Sequence, residues 1–100
     1  MTRIDMHNML LQVCDNVYFQ PPSNIRIKNY PCIVYHFSDF DTRNADNSKY
    51  LKRDMYTVTV ITKDPEDRIF ENILDMFQYS SFDRSYTADN LYHYTIRIYI

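Results

Sequence analysis

The spacing of hydrophobic positions switches period within one short stretch, Asp54 to Gln78. From Met55 to Ile61 the residues are β-branched or aromatic and alternate. Tyr56, Val58 and Val60 fall on one face, Thr57 and Thr59 on the other, a period of two that predicts a strand buried mainly on one side. Asp64-Pro65-Glu66 interrupts it, because proline lacks a backbone donor and its preset φ suits a first helical turn. Beyond it Ile69, Phe70, Ile73, Leu74 and Phe77 form one helical stripe. Asp64 is the expected N-cap, with Glu66 and Asp67 placing negative charge at the positive end of the helix dipole.

The same reading extends to the rest of the chain. Residues 3–18 predict a first helix, with Met6, Met9, Leu10, Val13, Cys14 and Val17 on its apolar side. Gln20-Pro21-Pro22-Ser23-Asn24 ends it. Ile25 to Lys28 could form a short edge strand, and Pro31 suits only the start of a strand or an edge. Cys32 to Phe37 is apolar at nearly every position, as in a strand covered on both faces. Residues 38–50, SDFDTRNADNSKY, lose all periodicity and predict a long loop at the tip of an antiparallel hairpin. Tyr79 to Asn90 is expected to be a polar connection. Leu91 to Ile100 then alternates, with Tyr92, Tyr94, Ile96, Ile98 and Ile100 opposite His93, Thr95 and Arg97. It can pair with either long strand. The expected architecture is one α+β domain over 1–100: two helices packed on one face of a small, mainly antiparallel sheet of three to four strands.

Composition narrows the class. A hydrophobic fraction of 45% and an aromatic fraction of 16% argue against disorder. A formal charge of −2 provides no electrostatic footprint for tight nucleic-acid binding. No apolar run approaches the ~20 residues of a membrane span, and the N-terminus lacks a signal-peptide core, so the expectation is a cytoplasmic chain without a membrane partner. Cys14 and Cys32 are expected to be buried, reduced thiols. The chain has no glycine, which excludes phosphate-cradling loops and leaves any positive-φ turn to asparagine or aspartate.

Candidate chemistry is sparse. His7, His36 and His93 lie on three different elements without metal-ligand spacing, so the expectation is no metal and no cofactor. His7 and His93 read as exposed or interfacial, His36 as a hydrogen-bonded strand residue. Asp39 and Asp41 flank Phe40 in a stretch without EF-hand spacing, and a solvated acidic loop explains them. Ser80, Ser81 and Ser85 lack a nucleophile-elbow context and suit caps and turns. Neither cysteine has the basic surroundings that activate a thiol. The residues predict a non-enzyme, with no catalytic residue to nominate.

The distinctive feature is instead potential contact surface: ten tyrosines, sheet edges without a strong set of guards, and the 38–50 segment. Phe40, Arg43, Lys49, Tyr50, Lys52 and Arg53 are the candidate interface residues, being of types enriched at interfaces or basic and interleaved with them. A stacking platform for single-stranded nucleic acid uses similar pairs, but the aspartates among these residues favour a protein-binding or solvated loop.

The N-terminal helix, the long segment entering YTVTVITKDPED, the amphipathic helix to Phe77 and the closing LYHYTIRIYI together resemble the tail terminator (tail-completion, or tail-to-head joining) proteins of long-tailed bacteriophages. The resemblance covers nearly the whole chain in element order and size. It implies a structural virion protein that forms a ring, commonly a hexamer. Such a ring caps the growing tail tube, halts its polymerisation and docks the head connector. Its implied partners are therefore further copies of itself, the tail tube protein and the head connector or neck protein, with DNA only as passing cargo. The implied location is the head-proximal end of the virion tail, assembled in the host cytoplasm. The alternatives are a neck, head-closure or other small tail component, and a cellular α+β ligand-binding or regulatory domain that dimerises through its sheet.

Overall fold

The computed structural model describes residues 2–21, 30–44 and 50–100, with 39–44 and 50–53 described by their backbone. Its elements run α1 (Arg3–Leu11), β1 (Val17–Phe19), β2 (Cys32–Asn44), β3 (Tyr50–Thr62), α2 (Ile69–Met76), β4 (Ser80–Ala88) and β5 (Leu91–Tyr99). The strands form one sheet in the order β1-β2-β3-β5-β4, with β1 parallel to β2 and every other pair antiparallel. The class is α+β. The expected three to four strands are corrected to five in a mixed sheet, and β5, which by its pattern could pair with either long strand, pairs with β3.

Two of the five strands come from stretches with a different expectation. The first helix stops at Leu11 rather than running to residue 18, and Val17-Tyr18-Phe19 joins the sheet. Asp15 and Asn16 favour a turn here, and β-branched and aromatic residues come directly after. The ladder is anchored by Ile33 N donating to Asn16 O at 2.7 Å and Gln20 N to Tyr35 O at 2.8 Å. Residues 80–88, expected as a connection, form β4 along one edge of the sheet. An edge strand with both flanks partly in water has no need of an apolar alternation, so its pattern resembles a loop. The segment Ile25–Lys28 lies outside the described residues.

Helix α2 also begins later than expected. Asp64 is not its N-cap; Arg68 occupies that position without a side-chain hydrogen bond. The acidic residues instead fold the approach: Glu66 N donates to Asp64 Oδ1 at 2.9 Å and Ile69 N to Asp67 Oδ1 at 3.0 Å. Such local side-chain acceptors compete with helix formation, which defers the helix to Ile69. By contrast α1 starts on a capping box, with Asp5 N donating to Thr2 Oγ1 and Thr2 N to Asp5 Oδ2.

The core joins Met6 and Leu10 of α1, Ile73 of α2 and Phe77 just after it to Ile33, Tyr35, Tyr56, Val58, Val60, Ile96 and Ile98 of the sheet, all of them buried. Instead of a continuous helical layer over a small sheet, the helices sit at separate ends: α1 meets β1, and α2 meets β4 and β5. No helix among the described residues is long and apolar enough to cross a membrane.

Candidate functional site

Hairpin β2–β3 outgrows the sheet that carries it. Strand β1 pairs with β2 only at Ile33–Tyr35, and β5 pairs with β3 only from Met55 to Thr62. The hairpin ladder continues past both, through Phe40↔Asp54, Asp41↔Arg53, Thr42↔Lys52, Arg43↔Leu51 and Asn44↔Tyr50. One further bond, Ile100 N to Asp54 O at 3.0 Å, touches its base. Five residues per strand at about 3.4 Å each make a two-stranded arm roughly 17 Å long. The molecule measures 50 × 28 × 23 Å, its long dimension about twice the others.

The structure therefore corrects the loop expected over 38–50: residues 38–44 and Tyr50 are strand, and 45–49 lie outside the described residues. Of the candidate interface residues, Phe40, Arg43, Tyr50, Lys52 and Arg53 all occupy this ribbon, and the register brings Phe40 and Arg53 to neighbouring rungs. Lys49 lies outside the described residues. Among the described residues neither β1 nor β5 pairs with the arm, so the sheet imposes no hydrophobic period on it.

The arm grows from a closely packed root. A register shift between Phe37 and Asp39 marks a β-bulge, a device that bends and twists a strand. Beside it Phe37 meets Tyr56 edge-on at 5.6 Å, Tyr56 meets Tyr35 at 6.0 Å and Phe19 stacks on Tyr35 at 5.0 Å. The Tyr35 hydroxyl accepts from Arg3 Nη1 at 3.0 Å and is hydrogen-bonded to His7 Nδ1 at 2.6 Å. The Arg3 guanidinium also covers the Phe19 ring at 4.2 Å. Burial in this cluster pushes the Tyr56 hydroxyl above its ordinary pKa.

At the far edge, β4 exposes Phe82 and Tyr86, each 44% accessible, with Tyr79 just before it at 48%. Phe82 lies 5.5 Å from Phe70, which stacks on Tyr94 at 4.6 Å. Across the sheet Tyr86 stacks on His93 at 4.7 Å, and Asp83 pairs with Arg97 at 3.0 Å. This edge falls in the stretch expected to be a polar connection, although Phe82 and Tyr86 amid serines and threonine are a visible signal of a half-covered strand.

The residues with chemical potential are occupied structurally. Ser80 Oγ donates to Phe77 O at 2.7 Å and Leu74 O at 3.3 Å, closing the end of α2. His7 is half-buried against Tyr35, His93 Nδ1 lies 3.2 Å from Leu91 O, and His36 is exposed on β2. Among the described residues no group of three His, Cys, Asp or Glu could hold a metal ion. Both cysteines are free and buried, and burial raises both thiols, that of Cys32 to about 11. Cys14 borders a shallow recess with Gln12, Asp15, Asn16 and Pro31, and donates to Pro31 O at 3.4 Å. A protonated thiol held by a carbonyl is a packing group rather than a nucleophile. Comparison of the chain with models of known protein families, with curated proteins and with solved structures finds no match.

Proposed function

We propose that this protein is a non-enzymatic structural subunit that assembles with copies of itself into a ring at the end of a tubular assembly, in the manner of a phage tail terminator. The observation that carries the proposal is the β2–β3 arm. A two-stranded ribbon with no third strand and no helix behind it is marginal in water. Among the described residues this one holds five rungs beyond the sheet, with two unpaired backbone edges. Such a ribbon gains stability when another chain pairs with it or covers it. A protruding arm on one part of a chain and a receiving surface elsewhere produce heterologous contacts, which close into rings when the rotation permits.

On this reading the ring, commonly six subunits in the terminator family, stops the tail tube and offers its other face to the head connector. The arm residues Phe40, Arg43, Tyr50, Lys52 and Arg53, together with Lys49 of the same stretch of sequence, form the subunit or tube interface. DNA passes through without being read, and the assembly acts at the head-proximal end of the virion tail.

The test is the absolute mass of the purified protein by light scattering over a concentration series, with electron microscopy of any large species. The expected result is a discrete species near six subunits with a central hole. Replacing residues 40–53 with a two-residue turn is expected to leave a folded monomer. A compact dimer at every concentration, indifferent to loss of the arm, would overturn the proposal in favour of a dimeric regulatory domain.

A further inference from the structure

We infer that the outer edge of β4 is the receiving surface for the arm, so that strand β2 of a second copy adds to it as an antiparallel sixth strand. This rests on the ring reading and names the contact that would build the ring.

Strand β4 has an open side. It is the last strand in the order β1-β2-β3-β5-β4, and among the described residues it pairs with β5 alone. Asp89 and Asn90 form the two-residue turn that joins the pair, with φ of 54° and 62° and Ala88 opposite Leu91. A two-residue hairpin of this kind closes on a hydrogen-bonded pair, and hydrogen-bonded and open pairs then alternate. Ala88, Tyr86 and Arg84 therefore bond to β5, while the N–H and C=O of Ser85 and Thr87 point away from the sheet. Both residues have exposed side chains.

Strand direction fits the same contact. Strand β3 is antiparallel to both β2 and β5, and β4 is antiparallel to β5. Strand β4 therefore runs parallel to β3 and antiparallel to β2. A neighbour placed beside β4 in the same orientation presents its β1–β2 side, with β2 running the opposite way. The contact is antiparallel without inverting either molecule. Among the described residues the unpaired stretch of that β2 edge includes the arm, Phe40–Asn44, because nearer the core β1 already occupies positions 33–35.

The positions of arm and edge also impose a stagger. The arm extends past the end of β4 that starts at Ser80, since Ser80 lies level with Ile98 and Tyr56, and the arm is N-terminal to Tyr56 in β3. Ser85 and Thr87 lie level with Val60 and Thr62 of β3, and the arm with Tyr50–Asp54, so laying the neighbour's arm against them displaces that neighbour along the strands by about nine residues, roughly 30 Å. A constant stagger between successive strands is what a sheet needs to close with its strands tilted to the axis. The occupant is thus a second copy: each molecule carries both a ribbon and an edge strand that, among the described residues, lack an outer partner. Exposed Phe82 and Tyr86, on opposite faces of β4, supply apolar contact to the added strand.

The experiment compares the full chain with Ser85→Pro and with Thr87→Lys. Proline at an outward-facing edge position removes a donor from the open side and leaves the ladder to β5 intact, and lysine guards an edge against pairing. Light scattering gives the mass, and far-ultraviolet circular dichroism with a denaturant midpoint establishes that each variant folds. The expected result is folded variants of monomer mass under conditions where the parent chain forms the large species. Rings that persist in both variants overturn the β4 assignment while leaving the ring itself standing. A parent chain that stays monomeric at every concentration overturns the ring and this contact together.

Discussion

At the scale of single residues, the absence of glycine has a measurable consequence. Two positions of positive φ fall to Asp89 and Asn90, as a chain without glycine requires, and a third falls to Gln20 at φ 42°. Gln20 is held there by its two bonds to β2, its own N–H to Tyr35 O and its Oε1 from Phe37 N at 3.2 Å. Asparagine tolerates the left-handed region better than alanine, for which it costs about 1 kcal/mol. Asn90→Ala is therefore expected to lose about that much stability in urea, and Asn90→Gly to lose none. The capping box gives a second residue-scale prediction. Hydrogen bonds from Thr2 hold the Asp5 carboxyl below its ordinary value of 3.8. A carboxylate whose folded pKa is lowered stabilises above its unfolded pKa and ceases to as pH falls through the folded one. Asp5→Ala should thus be less stable than the parent at neutral pH, with the gap closing below pH 3.8. Cys14 and Cys32, buried and with raised pKa, should resist iodoacetamide at pH 8 until the chain is unfolded; rapid labelling of either in the native state would contradict their packing.

At the scale of elements, the amphipathic stripe of α2 was legible because a helix packed on one side must repeat its apolar residues every three to four positions. Ile73 and Phe77 are buried as that stripe requires. Replacing either with alanine should cost about 2–5 kcal/mol, read as a fall in denaturant midpoint at unchanged slope. Strand β3 was equally legible from Met55 to Ile61, where Tyr56, Val58 and Val60 are all buried, and so was β5. The missed elements share one property. Strand β4 and the arm lie where a flank is open, so burial imposes no period on them. Val17 belongs to a different element from the one its spacing suggests: it continues the stripe of α1, and only its parallel partner Ile33 recruits it to the sheet.

For the whole molecule, the arm and the core are separable. The buried cluster draws on α1, α2 and the overlapping parts of the strands, and among the described residues the ribbon beyond Asp54 pairs with neither β1 nor β5. Shortening the arm should therefore leave the thermal midpoint within a few degrees of the parent, while removing the capacity to assemble. A large loss of stability would mean that the ribbon is part of the monomer's fold rather than an extension to a neighbour.

The amino-acid sequence by itself determined the α+β class, the break between β3 and α2 at Asp64–Pro65 and the burial of one face of β3, β5 and α2. These arise from local period and composition, which a one-sided core imposes on every segment that touches it. It also singled out the segment around Phe40 and Arg53 as a candidate contact segment. Only the tertiary structure decided that this segment is a paired ribbon rather than a loop, that β4 forms the far edge, and that β5 inserts between β3 and β4. Those are decisions of long-range pairing. Backbone hydrogen bonds between strands are nearly indifferent to side chains, so they leave little trace in the sequence where no core lies behind them.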